Sequence, residues 1–212
     1  MSNAIQAVSA LINSFASNEV LAQSISSVFV SKEDFMTKVK TFDETFSAHP
    51  SHEAIQEFAF DLLMTHHLSN IDNEEDYFET DEWLKIEDKT IDRGTELLNI
   101  LLYTSEAKDS DAPITIEDFL YEFLLVDEDE FQDEHRIYES FIANQELVDE
   151  DVESILEVAE SIPENEEIKE LFIPLFLYFQ TPASKVVAND IAPKLTNMDK
   201  ALLQMLFTFS NG

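Results

Sequence analysis

The chain has 212 residues, with 45 Asp and Glu against 12 Lys and Arg, a formal net charge of −33, yet 44% of its residues are hydrophobic. That hydrophobic share, with 17 Phe, excludes a disordered acidic tail and supplies one globular core or two small ones. The absence of Cys excludes disulfides and thiolate metal sites, and 2 Gly leave almost nothing for phosphate-cradling loops or a hairpin-built sandwich.

The N-terminal stretch MSNAIQAVSALINSF has no basic region and is interrupted by polar residues, so no secretory signal is expected there. A first pair of helices is predicted over roughly Ser2–Phe15 and Asn18–Val30. Ser31 opens a third, with Asp34 as its capping-box partner and Phe35, Val39, Phe42 and Phe46 at helical spacing. Pro50 and Ser51 start a fourth, whose stripe is Ile55, Phe58, Leu62 and Leu63.

Residues 69–89 read as irregular and acidic, with Tyr77, Phe78, Trp83 and Leu84 interspersed. A helix is predicted from Thr90 to Tyr103, followed by the loop SEAKDSDAP. Thr115 and Asp118 make a box-like start for Phe119, Leu120, Phe123 and Leu124. Asp127 can cap the next helix, with Glu130 three residues on, and its core face continues through Phe131, Tyr138 and Phe141 or Ile142. Asp149 precedes the stripe Val152, Ile155, Leu156 and Ala159. Asn165 precedes Ile168, Leu171, Phe172, Leu175, Phe176 and Phe179, a helix that Pro174 should kink or break. The last helix starts near Thr196, with Asp199 as box partner, and carries Leu202, Leu203, Leu206 and Phe209.

These patterns predict an all-α protein, a single domain over 1–212 built as an irregular helical bundle or short α-solenoid of about nine or ten helices. The longest apolar run, Leu171 to Phe179, is about half the roughly 20 residues a membrane span needs. A soluble, cytoplasmic protein without membrane contact is the expectation.

The charge is uneven along the chain. Residues 1–71 hold 8 acids and 3 bases, residues 72–170 hold 35 acids and 6 bases, and residues 171–212 hold 2 acids and 3 bases. Ordinary surfaces mix both signs, because like charges on neighbouring helical turns repel. Capping and the helix dipole explain acids in a first turn, such as those at 127–130, but not Asp133 and Glu134 in the second. A solvated polar face is the plain alternative for each acidic run. The same excess recurs at 72–83 and 147–170, and the flanking segments avoid it, which points to a surface kept for a partner.

Motifs for chemistry are missing. No helical Glu-x-x-His or His-Glu-x-x-His occurs: SHEAIQ places Gln56 where a second His is needed, and the adjacent His66 and His67 diverge by about 100° on a helix. VDEDEFQDE lacks the EF-hand glycine and spacing. No metal site, cofactor or catalytic residue is therefore expected, and the chain reads as non-enzymatic. Tyr77, Phe78 and Trp83 either anchor an irregular connection to the core or form an acidic–aromatic contact segment.

The function expected is an acidic binding protein that occupies a basic, nucleic-acid-binding surface of a partner protein, as an inhibitor, DNA mimic or nuclease immunity protein, without binding nucleic acid itself. The candidate contact residues are Asp72, Glu74, Glu75, Asp76 and Trp83, then Asp129, Glu130, Asp133 and Glu134, then Glu150 and Asp151. The alternative is a helical scaffold or chaperone for a basic or amphipathic peptide. One contiguous acidic face favours the first, and acid ringing an apolar groove favours the second.

Overall fold

The computed structural model describes residues 3–71, 77–126, 136–180 and 192–212. Among them every regular element is helical, and no strand occurs. In chain order the α-helices are α1 (Asn3–Phe15), α2 (Glu19–Val30), α3 (Phe35–Ser47), α4 (Gln56–Leu68), α5 (Asp81–Thr90), α6 (Leu97–Asp109), α7 (Ile116–Asp118), α8 (Glu139–Ile142), α9 (Val152–Ser161), α10 (Lys169–Gln180) and α11 (Asn197–Asn211).

Short polar side chains set the starts. Asn18 accepts from the Leu21 N–H at 3.1 Å and opens α2. Asp34, not Ser31, caps α3 by accepting from the Thr37 N–H at 3.0 Å; Ser31 instead closes α2, its N–H donating to the Val28 carbonyl. The Thr196–Asp199 box forms as the sequence predicts, each side chain accepting from the other's backbone N–H.

Apolar faces then decide the packing. α1 buries Ala4, Ile5, Ala7, Val8, Leu11 and Ile12, a stripe wide enough to meet several partners. α4 is buried almost all round, from Phe58 to Leu68. The helices α1, α4, α6 and α11 close a ring, α1 on α4, α4 on α6, α6 on α11 and α11 back on α1, and the α1–α11 contact is the most extensive. Because the first and last helices meet, the architecture is a closed bundle and not an open solenoid. The pair α2–α3 flanks α1, α10 covers α11, and α9 covers α10.

The outer layer is aromatic. Phe141 meets Phe176 with ring centroids 4.4 Å apart, and Phe172 meets Phe176 at 4.7 Å. This packing explains why α10 runs unbroken through Pro174. Proline inside a helix removes a hydrogen bond and costs about 3 kcal/mol, and burial of Phe172, Leu175 and Phe176 on either side holds the helix through it.

Four other expectations are corrected. The stretch 69–89, read as irregular, contains α5, opened by Thr80 accepting from the Trp83 N–H. Thr90 ends that helix instead of beginning the next, which starts at Leu97. α6 extends to Asp109, into the expected loop, with Lys108 anchored by donating to the Phe209 carbonyl at 3.4 Å. The expected helix after Thr115 forms only as α7 and a π-turn over Phe119–Phe123.

Candidate functional site

The turn between α5 and α6 is shaped by a residue far away in sequence. Asp61, fully buried on α4, accepts from the Thr95 N–H at 3.1 Å and from the Thr95 hydroxyl at 2.6 Å. The same hydroxyl accepts from the Leu97 N–H, so Asp61 holds the start of α6 through Thr95. Gly94 eases this approach, because a Cβ there would stand a tight 3.2 Å from Asp61 Oδ1. Burial pushes the Asp61 carboxyl up to about 8, against the opposing effect of the Thr95 hydrogen bonds.

Above this turn lies a cleft of about 490 Å³. Its walls carry Glu57 from α4, Asp92 and Glu96 from the turn, Glu167 just before α10 and Glu170 in its first turn, with Phe58, Ile91, Gly94 and Thr95 between them. None of these residues is basic. Glu170 is raised above the ordinary carboxylate range, first by desolvation at the wall, then by repulsion from Glu57, Asp199 and Glu164. Nearby cations are committed elsewhere. Arg93 forms a two-pronged pair with Asp43 and lies over the Phe60 ring at 4.5 Å. Lys169 donates to the Ala159 and Ile162 carbonyls at 2.6 and 2.8 Å, closing α9. Among the described residues no three Asp, Glu or His are placed to hold a metal ion, so the cleft is a diffuse anionic surface and not a chelating site.

Trp83 is half-buried on α5 and packs against the core. Its ring meets Phe78 at 4.9 Å and Tyr77 at 5.7 Å. Tyr77 in turn hydrogen-bonds His67 at 2.9 Å, and His67 stacks on Phe35 at 4.3 Å. Burial lowers His67 to about 4, so the imidazole is a neutral anchor. Tyr77 and Trp83 therefore anchor this segment to the core, while Phe78 stays 39% exposed.

Glu150 and Asp151 lie exposed before α9. Asp151 caps that helix, accepting from the Ser154 N–H at 2.9 Å and from its hydroxyl at 3.0 Å, bonds that hold its carboxyl below the usual range. The Glu150 carbonyl accepts from the Gln180 side chain. The candidates Asp72, Glu74, Glu75 and Asp76, and Asp129, Glu130, Asp133 and Glu134, lie outside the described residues, as do Asp127 and Phe131. The cleft carboxylates were not singled out by sequence. Glu57 and Glu170 stand over a hundred positions apart, and no local pattern joins them.

No protein-family model matches this chain, and comparison with curated proteins and with solved structures finds no match. No helix among the described residues is long and apolar enough to cross a membrane.

Proposed function

We propose that this chain is a non-enzymatic acidic binding protein that occupies a basic surface of a partner protein. The observation that supports this is the cleft in which Glu57, Asp92, Glu96, Glu167 and Glu170, drawn from three separate stretches, line one concavity with no basic side chain on its wall. Carboxylates so placed repel one another, and an inserted Lys or Arg would relieve that repulsion. Basic protein surfaces commonly serve nucleic acid, so the partner is a nucleic-acid-binding protein and the effect is inhibition, as by a DNA mimic or an immunity protein. The mechanism is competition with electrostatic steering, carried out in the cytoplasm.

A scaffold or chaperone for basic peptides is the second reading. It draws on the exposed Phe78, Leu84 and Ile91 near the same acid.

The test is competition. A partner retained from host extract on the immobilised protein at low salt and released at high salt is purified, and its nucleic-acid binding is measured with and without this protein. Loss of nucleic-acid binding at stoichiometric addition is expected. Simultaneous binding of both by the partner contradicts inhibition, and a partner without nucleic-acid affinity favours the scaffold.

A further inference from the structure

Among the described helices of eight residues or more, α5 alone shares no extensive interface with another element. It is fastened by Ile86 and Thr90, which are buried, and by half-buried Trp83. At about 100° per residue, Asp81 and Asp88 fall directly opposite that edge, Leu84 and, just past the end, Ile91 lie to one side of them with Glu87 beyond, and Lys85 and Lys89 lie to the other side. Leu84 is 51% and Ile91 72% exposed. Single exposed apolar residues need no explanation. Here three of the six exposed large hydrophobics among the described residues, Phe78, Leu84 and Ile91, fall within one short stretch around a lightly packed helix. Ile91 also stands on the wall of the acidic cleft, so the apolar stripe leads directly into it.

We propose that the outer face of α5 is a docking surface for a basic amphipathic helix of a partner protein, with its apolar side on Leu84 and Ile91 and its cationic side chains reaching the cleft. Charge decides the occupant. A second copy of the chain would set −33 against −33, and an anionic lipid surface meets the same repulsion. An apolar stripe flanked by Asp81, Glu87 and Asp88 matches aliphatic side chains bordered by Lys or Arg. Leu84 and Ile91 are two turns apart, about 10 Å, the same spacing at which an amphipathic helix repeats its own apolar anchors. The proposal shares with the function above the positive charge of the partner, and adds an apolar contact that charge alone does not require.

Trp83 is the only Trp of the chain, so its emission reports on α5 and its attachment to the core. The test titrates the full chain with a synthetic Lys/Leu amphipathic peptide and with a Lys/Ser peptide of equal length and charge, at about 50 mM salt. It is repeated with the variant Leu84→Ser/Ile91→Ser, whose exposed positions leave the core intact. The Lys/Leu peptide is expected to shift Trp83 emission and to bind the double variant about tenfold or more weakly, whereas the Lys/Ser peptide binds both proteins alike. Equal Lys/Leu affinity for both proteins overturns the docking surface, and if the Lys/Ser peptide still binds, the wider reading of a cationic partner stands without it. Failure of both peptides to bind overturns both. Sedimentation that finds a wild-type dimer and a monomeric double variant overturns the occupant in favour of a second copy.

Discussion

The two ends of the chain and its middle solve different problems with the same helical material. α1 carries no charged residue and α11 carries only Asp199 and Lys200, and these two helices form the largest contact of the bundle. α5 carries four acids and two lysines in ten residues and buries only Ile86 and Thr90. A helix packed on several sides has no room for charge, whereas one fastened along a single edge can hold as much as repulsion allows. Acid is thus carried where it costs the core least.

The largest effect that follows is in the packed region. Phe176→Ala removes a fully buried ring in contact with Phe141 and Phe172, and a loss of about 3–5 kcal/mol is expected from chemical denaturation. A cost near zero would mean that the aromatic layer does not hold the bundle together.

The pH dependence comes next and belongs to the boundary between the regions. The folded-state pKa of Asp61 is raised from 3.8 to about 8, so between those values the folded protein keeps a proton that the unfolded chain has lost. Stability therefore falls as pH rises through that window, by at most about 1.4 kcal/mol per pH unit from this one group. Glu170 is shifted the same way. Melting temperature should rise as pH is lowered from 8 towards 5, and Asp61→Asn, which keeps an acceptor for the Thr95 N–H, should flatten that slope. A slope unchanged by Asp61→Asn would place the titrating group elsewhere.

A matched pair of substitutions sharpens the contrast further. Thr196→Ala and Thr80→Ala each delete a hydroxyl cap, worth about 0.5–2 kcal/mol to a helix. The first should lower global stability by that amount. The second should act on α5 alone, seen as faster amide exchange over 81–90 and altered Trp83 emission with little change in the global transition. Equal global losses would contradict the independence of α5.

The smallest effect concerns Leu125, which has φ of 53° and is half exposed. It follows the π-turn, with the Val126 N–H donating to the Leu120 carbonyl, a position that glycine normally fills. Leu125→Gly should stabilise by about 1 kcal/mol by relieving left-handed strain.

What could be read from sequence divides along the same line. α1 carries its apolar spacing locally, and α2 and α11 carry their caps as well, so their limits are legible within a residue or two. α5 was hidden because its acidic composition resembles a loop, although Thr80 before Asp81, Glu82 and Trp83 is an ordinary helix start. The break at 91–96 depends on Asp61, 34 positions away, and the extension of α6 depends on Lys108 reaching Phe209; neither contact leaves a local trace. Of the contact residues expected from sequence, Trp83 falls on α5 and packs against the core, away from the residues that line the cleft. The cleft itself is assembled from positions that only the closed bundle brings together.

In the function proposed above, this cleft concentrates charge for a cationic partner and is more than a share of a uniformly acidic surface. Its most direct test is the affinity of the Lys/Ser peptide for the wild type and for Glu57→Gln/Glu167→Gln/Glu170→Gln, measured from about 50 to about 500 mM salt. Tight, steeply salt-dependent binding is expected of the wild type, and weaker and shallower binding of the variant, although the variant loses only three of the 45 acids. Equal affinity and equal salt dependence for the two proteins would contradict it.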